Sequence, residues 1–364
     1  MTDIILILSN SIDGLFLFRK EVINAIIASK YKVFISAPKG DKDKECYFQN
    51  LGCILIPETI DRRGTNPLKD FILFVNYYRL LKKIKPLAVL TYTIKPNIYG
   101  GLAARLSNIP QLANITGLGS GIHRNGILQR FTRTLYKVGL SQAQVVFYQN
   151  RSIMKFCAEY GIGRNGVLLP GSGVNLQWHK KQKYPDIDKP IKFLFIGRIM
   201  EEKGVNEFLE MAKYVKERFS HVEFHLLGAC EENYEDKLLQ LQNADIIKWH
   251  GAVSDVRPYI KESHCIVLPS YHEGMANVLL EASACSRPVI TSNIDGCKEI
   301  VDDGITGYIC AVKNTRSLID KVIAFIALPY EEKVIMGEKA REKVEKEFDR
   351  QIIVENYLNV IDCL

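Results

Sequence analysis

The 364-residue chain has no apolar run approaching the ~18–20 residues that span a bilayer. The longest candidates, residues 4–8 and 71–75, are the size of a strand or a buried helical segment. No Cys-x-x-Cys pair occurs, and the nine cysteines are scattered from Cys46 to Cys363, mostly inside apolar strings. That pattern reads as buried free thiols rather than a disulfide framework. His221 and His225 would share one face of a strand, but no third ligand stands near them, so no metal site is expected. The G-x4-G-K-[ST] loop is missing, which excludes the P-loop kinases and ATPases. Asp3 stands where a signal peptide would carry positive charge, and no small-residue cleavage site follows. The expectation is a cytoplasmic protein of about two domains at ~150 residues each.

Charge is present but unevenly placed. Residues 1–175 carry 23 Lys and Arg against 10 Asp and Glu, a net of +13, whereas residues 176–364 carry 25 against 31, a net of −6. A basic N-terminal half points to an anionic partner: nucleic acid, a membrane surface or a phosphorylated acceptor.

Strand-like apolar runs alternate with helical patterns along the whole chain. The predicted strands of the first half are 4–8, 32–36, 53–56, 87–91, 112–116, 145–148 and 167–169, with helices at 16–29, 68–84, 98–106, 127–140 and 152–160. A polar stretch at 177–189 reads as a linker. Strands resume at 191–196, 222–227, 246–249, 265–268, 289–291 and 307–310, with helices at 205–219, 255–262, 278–284 and 315–327 and charged helical segments at 331–346 and 351–361. Alternation of this kind builds parallel sheets from βαβ units. The fold expectation is α/β, with two doubly wound, Rossmann-like domains facing across a cleft. Their boundaries are placed at 1–175 and 176–345, and a C-terminal helix in 346–364 packs back toward the first domain.

Two segments carry the chemistry. Ser270-Tyr-His-Glu273-Gly-Met-Ala-Asn-Val-Leu-Leu-Glu281 leaves the strand at 265–268 and enters a helix near Ala276. Glu273 falls in the loop, and Glu281 about one and a half turns inside the helix, leaning back toward its N-terminus. Between them Gly274, Met275 and Ala276 are expected to offer free amides at a positive helix end, suited to phosphate. A carboxylate for sugar hydroxyls, one for a ribose and amides for phosphate are the parts of a nucleotide-sugar site; on spacing alone, two solvated glutamates remain the alternative. The second segment, Phe193-Leu-Phe-Ile-Gly197-Arg198-Ile-Met-Glu-Glu-Lys203-Gly204, places two cations beside a helix start, where a diphosphate would be neutralised.

With Gly197-Arg198, Lys203, Pro269-Ser270-Tyr-His-Glu273-Gly274, Glu281, Arg287-Pro-Val-Ile-Thr and Glu299-Ile-Val-Asp-Asp-Gly-Ile-Thr-Gly307, residues 166–345 resemble the retaining family-4 glycosyltransferases of the GT-B fold. The resemblance implies that Arg198 and Lys203 hold the donor diphosphate, Glu281 the ribose, and Glu273 with Gly274, Met275, Ala276, Asn277 and Val278 the donor sugar and phosphates. Val253 would lie against the base, and Gly14, in Ser11-Ile-Asp-Gly14 after the first strand, close to the donor. Glu273, Arg198 and Lys203 are the implied catalytic groups.

The first half, through Thr93-Ile-Lys-Pro-Asn-Ile-Tyr-Gly-Gly101 and Ile115-Thr116-Gly-Leu-Gly119, is similar to bacterial enzymes that extend sugars on undecaprenyl diphosphate for O-antigen (lipopolysaccharide), capsule or glycoprotein glycans. Lys95, Thr116 and Arg124 are the implied acceptor contacts. Many relatives place a His after the strand at 112–116; this chain has Thr116-Gly117 there, so no catalytic His is assigned. The implied partners are a UDP-sugar, with an N-acetylhexosamine as the transferred group, and a lipid-diphosphate-linked saccharide. No cofactor or metal is implied. A UDP-N-acetylglucosamine 2-epimerase and a non-catalytic nucleotide-sugar or lipid-binding protein are the alternatives.

Other signals are weaker. Gly117-x-Gly119-x-Gly121 imitates a dinucleotide loop, but Ile122 stands where the third glycine belongs. Asp41-Lys-Asp43 and Asp186-Ile-Asp188 imitate a metal-binding D-x-D and read as chance. In the helix at 127–140, Ile127, Phe131, Leu135 and Val138 form one stripe and Arg130, Arg133 and Lys137 another, with Arg124 just before. That basic stripe is assigned to an anionic inner-leaflet surface, making the protein peripheral to the membrane; nucleic acid is rejected because no recognition motif accompanies it. The helix at 68–84 reads instead as core-facing Phe71, Phe74, Tyr77 and Tyr78 with a solvated basic face.

Overall fold

The computed structural model describes residues 3–61, 64, 66–117 and 126–364. The chain divides into two compact units, residues 1–172 with 350–364, and residues 173–349.

Among the described residues of the first unit, seven strands form a parallel sheet: β1 (Ile4–Leu8), β2 (Lys32–Ala37), β3 (Ile54–Pro57), β4 (Ala88–Tyr92), β5 (Gln111–Ile115), β6 (Val145–Tyr148) and β7 (Gly166–Leu168), in the order β3-β2-β1-β4-β5-β6-β7. Its helices are α1 (Ile12–Ala28), α2 (Lys42–Asn50), α3 (Pro67–Ile84), α4 (Gly101–Ser107), α5 (Ile127–Gly139) and α6 (Arg151–Glu159). The second unit has six parallel strands, β8 (Ile191–Ile196), β9 (Val222–Leu227), β10 (Lys248–Trp249), β11 (Cys265–Leu268), β12 (Val289–Ser292) and β13 (Gly307–Cys310), in the order β10-β9-β8-β11-β12-β13. Its helices are α7 (Val205–Lys216), α8 (Glu235–Asn243), α9 (Arg257–Glu262), α10 (Asn277–Ala284), α11 (Thr315–Ala327) and α12 (Tyr330–Glu347); α13 (Arg350–Ile361) returns to the first unit. Both strand orders are those of doubly wound sheets.

The central strands are apolar on both faces because helices cover both. β4 and β5 are buried at every position, and β5 nonetheless carries Gln111 and Asn114. Gln111 donates to Thr91 Oγ1 (3.0 Å), and Asn114 donates to the Tyr357 hydroxyl (2.7 Å). The second bond ties α13 to the sheet, where Tyr357 also packs its ring 4.4 Å from Phe147. The returning segment starts at 350 rather than 346, because Val344 and Phe348, at the end of α12, still belong to the second unit's core.

The stretch read as a linker is not one. Residues 177–189 belong to the second unit, with Tyr184 buried and donating to the His264 carbonyl (2.9 Å). The carbonyls of Gln182 and Lys183 accept from the buried Arg287 guanidinium (3.3 and 2.8 Å). Asp41 of the first D-x-D caps α2, accepting from the amides of Asp43 and Lys44, and Asp186 of the second pairs with exposed Lys183. Local capping and a surface ion pair occupy both carboxylates.

Two buried histidines give the second unit a pH dependence. Burial pushes His225 down to about 4, against the opposing hydrogen bond that its Nε2 makes to the Glu223 carboxylate, and burial aided by the Arg287 charge does the same to His264. The unfolded chain takes up protons below ~6.5 that the folded chain refuses until about 4. Stability is therefore full above pH ~6.5 and falls as the pH drops toward ~4. The urea midpoint of this unit should be clearly lower at pH ~5 than at ~7.5; equal midpoints would contradict neutral burial.

Candidate active site

Each sheet reverses its strand order once, between β1 and β4 in the first unit and between β8 and β11 in the second. Doubly wound sheets bind ligands beyond the strand C-termini at that reversal. In the second unit the two segments leaving it are residues 197–204 and 269–276, which carry Arg198, Lys203 and Glu273.

The loop after β8 ends in a 3-10 turn, Glu201–Lys203, closed by Gly204 at φ +71°. A Cβ on Gly204 would stand 2.1 Å from the Pro269 carbonyl oxygen. Only glycine lets the two loops touch there, and with them touching Lys203 Nζ lies 2.5 Å from Glu273 Oε1. Ser270 Oγ donates to the same carboxylate oxygen at 2.8 Å. Further ties fix the loop: the Tyr271 amide donates to the Glu202 carbonyl (2.9 Å), and the Tyr271 hydroxyl to the Glu207 carboxylate (2.7 and 2.9 Å). Lys313 stands 4.5 Å above the Tyr271 ring. Gly296, at φ +84°, underlies the other side, where a Cβ would come within 2.8 Å of the Glu273 and Gly274 carbonyls. The Lys203–Glu273 pair is thus held on a rigid, largely buried platform.

Several sequence expectations are corrected here. The Ala276 amide is not free; it donates to the Gly296 carbonyl (2.8 Å), and the Met275 and Ala276 side chains lie in the hydrophobic core. Asn277 opens α10 with its Oδ1 buried and without a hydrogen-bond partner; Val278 and Glu281 follow on the same helix. Arg198 pairs with Glu231 (2.8 Å) in an exposed contact, so the two cations sit in separate ion pairs. Gly14 lies in the first turn of α1, where its amide donates to the capping Ser11 Oγ (3.0 Å). Val253, partly buried, packs against the core beside Gly251 at φ +69°.

At the first unit's reversal, β4 runs into Thr93, Lys95 and a π-helical turn, Pro96–Gly100. Thr93 has φ +74°, and its buried hydroxyl has no partner. A β-branched residue in that region is strained, and strain of this kind concentrates at functional sites. Lys95 Nζ is held by Asp70 of α3 at 2.6 Å, and the same carboxylate accepts from Tyr99 Oη at 2.9 Å. Thr116 follows β5 and is half-buried; Arg124 lies outside the described residues, as do Gly119 and Gly121 of the apparent dinucleotide loop. Sequence reasoning missed Asp70, Tyr99, Glu207 and Tyr271, because a lone carboxylate or phenol on a helix or in a loop gives no spacing signal. Among the described residues no cluster of three His, Cys, Asp or Glu side chains could hold a metal ion.

The two basic helices also differ from expectation. Along α5 the stripe residues Phe131 and Val138 are exposed, and the helix buries Tyr136, Gly139 and Leu140 instead. Arg130 and Lys137 are exposed, whereas Arg133 stacks 4.5 Å above the Tyr160 ring. On α3 Tyr77 is buried as expected, but Phe71 is exposed.

Solved structures share this architecture over the whole chain. Anabaena HepE in complex with UDP superposes with a TM-score of 0.80 at 15% identity, covering 100% of both chains. A glycosyltransferase from Rickettsia africae does so with a TM-score of 0.81 at 18% identity, covering 99% of this chain and 98% of that one. The fold is the GT-B fold. The family model "Glycosyl transferases group 1" matches residues 177–343, and "Glycosyl transferase 4-like" matches residues 5–150, so the chain belongs to these glycosyltransferases. The N,N'-diacetylbacillosaminyl-diphospho-undecaprenol alpha-1,3-N-acetylgalactosaminyltransferase of Campylobacter jejuni is 29% identical over 98% of this chain and 97% of its own length. The UDP-Gal:alpha-D-GlcNAc-diphosphoundecaprenol alpha-1,3-galactosyltransferase of Escherichia coli is 24% identical over 78% of this chain and 80% of its own.

Proposed function

We propose that the protein is a retaining, metal-independent glycosyltransferase that moves a sugar, an N-acetylhexosamine, from a UDP donor to a saccharide linked to undecaprenyl diphosphate. The carrying observation is the preformed Lys203–Glu273 pair at the strand reversal of the second unit. Relatives whose names specify diphospho-undecaprenol acceptors support the substrate class. Lys203 exchanges part of its contact with Glu273 for the donor diphosphate, and Arg198 does the same from Glu231. Glu273 then orients donor-sugar hydroxyls, Glu281 the ribose, and the loop at Val253 the base.

As the anomeric C–O bond to the diphosphate breaks, the acceptor oxygen attacks on the same face. Its proton passes to the departing phosphate oxygen. Lys203 stabilises the charge that grows on that phosphate. On the first unit, Lys95 and Thr116 meet the acceptor. Anomeric NMR of the product should show the donor's configuration retained, and transfer should persist in EDTA. Inversion, or strict dependence on a divalent cation, would contradict the assignment.

The membrane side of this reading rests on α5. Basic residues near an anionic leaflet contribute about 1 kcal/mol each, so reversing Arg130, Arg133 and Lys137 to Glu should strongly reduce co-sedimentation with anionic liposomes in low salt. Arg133→Glu also removes the stack on Tyr160, so the melting temperature is measured alongside. Unchanged sedimentation would leave the stripe as a solvated helix face.

A further inference from the structure

We infer that the outer face of the first turns of α3, formed by Leu68, Phe71 and Ile72, inserts into the headgroup–acyl boundary of the bilayer that carries the acceptor. The inference rests on the lipid-linked acceptor proposed above. The three side chains are 73%, 64% and 54% exposed, against 4%, 0% and 0% for Leu73, Tyr77 and Leu81 on the buried face. Their i, i+3, i+4 spacing puts them together on one surface. A water-facing helix shows the reverse arrangement, polar outside and apolar inside, and clustered exposed apolar side chains mark an interaction surface. The element is rigid at this end: Pro67 opens the helix, and Asn66 Oδ1 accepts from the amides of Leu68 (3.0 Å) and Lys69 (3.4 Å).

Charge selects a bilayer as the occupant. Along the same helix exposed Arg79, Lys82 and Lys83 follow the apolar turn, roughly 16 Å further on at 1.5 Å per residue. An aromatic ladder joins the two regions: Phe71 to Phe74 at 6.2 Å, Phe74 to Tyr78 at 6.5 Å, and Lys82 Nζ 5.6 Å from the Tyr78 ring. The only acid on the helix, Asp70, is taken by Lys95 and Tyr99. The exposed face therefore runs from apolar to basic, so its first turns can enter the acyl boundary while the cations further along meet anionic headgroups. A second copy docking face to face would set like charges against each other. Asp70 gives the arrangement a use, since it links the docked turn directly to Lys95, the residue assigned to the acceptor.

The test compares the full-length chain with L68S/F71S/I72S on vesicles of one-third phosphatidylglycerol and two-thirds phosphatidylethanolamine. At ~1 M salt, where the Debye length is ~3 Å, apolar insertion survives and basic steering does not. Under that condition the wild type should still partition, and the variant should partition at least ~10-fold less, with an unchanged melting temperature. The KM for the membrane-borne acceptor should rise at least as much, while transfer to the same saccharide diphosphate on a short, water-soluble alkyl chain stays at the wild-type rate. Equal partitioning of variant and wild type, or no vesicle binding by either, overturns the inference. So does a wild-type dimer in solution that the variant converts to monomer, which would make a second copy the occupant. If the wild type fails on the soluble acceptor as well, the glycosyltransfer reading falls instead, whatever the vesicles show.

Discussion

Lys203→Ala should lower turnover by at least ~100-fold, the scale for removing a group that stabilises charge developing in the transition state. The close contact of Gly204 with Pro269 sets where its ammonium stands, and Arg198, already assigned to the same diphosphate in the proposed mechanism, does not take over its place. The substitution also strands Glu273, which is largely buried and keeps only the Ser270 hydroxyl among its two side-chain partners described above. An unpaired buried carboxylate destabilises the fold, which adds a structural part to the loss. A stabilising osmolyte, which leaves the site residues in place, separates the two: the melting temperature should return toward wild type while turnover stays low. Turnover recovering with the melting temperature would reduce Lys203 to a structural partner.

The second large effect is on folding. Arg287 is fully buried and has no carboxylate partner among the described residues; its guanidinium donates to the carbonyls of Ile260 and Lys261, Gln182 and Lys183, and Cys285 and Ser286. Three separate segments converge on one side chain, which stays charged because burial lowers its pKa only to about 10. Arg287→Ala removes six hydrogen bonds to buried carbonyls, of which that of Ile260 keeps the Ser263 amide, and opens a cavity, two of the mechanisms behind the largest single-site losses. A loss of ~3 kcal/mol or more is expected, and at ~2–4 °C per kcal/mol for a unit of this size the melting temperature should drop roughly 6–12 °C. Arg287→Lys, with three donors, should fall between. A shift of a degree or two for the alanine variant would refute the carbonyl cage as a stabilising element.

Arg287 also marks the limit of what motifs reveal. Arg287-Pro-Val-Ile-Thr is legible as a family feature, yet nothing in it shows that the arginine clasps main chain 26 to 105 residues away. Strands were the most legible part: β1, β6 and β11 are uninterrupted apolar runs, and β8, β9 and β13 coincide with their expected ranges although Lys192, Glu223 and His225 interrupt two of them. Helices α2 and α8 went unread: each buries a single side chain, Phe48 or Leu238, leaving little periodicity to detect. The residues at 177–189 looked like a linker because Tyr184 is their only buried hydrophobic side chain of the core and their anchoring is through main-chain carbonyls. In the site, Lys203, Glu273 and Glu281 carry recognisable spacing. The Gly296 support, the Tyr271–Glu207 bond and the strain at Thr93 depend on long-range contacts or backbone dihedrals, which spacing does not encode.

Sugar transfer to a lipid diphosphate changes the mass of the lipid. Mass spectrometry of an undecaprenyl-diphosphate-linked saccharide, incubated with the protein and a panel of UDP-N-acetylhexosamines, tests it most directly. The account predicts a lipid product heavier by one N-acetylhexosamine, UDP released in equal amount, and neither change when the acceptor or Lys203 is removed. Conversion of the UDP-sugar to an epimer without acceptor, or an unmodified lipid across the whole panel, would contradict it.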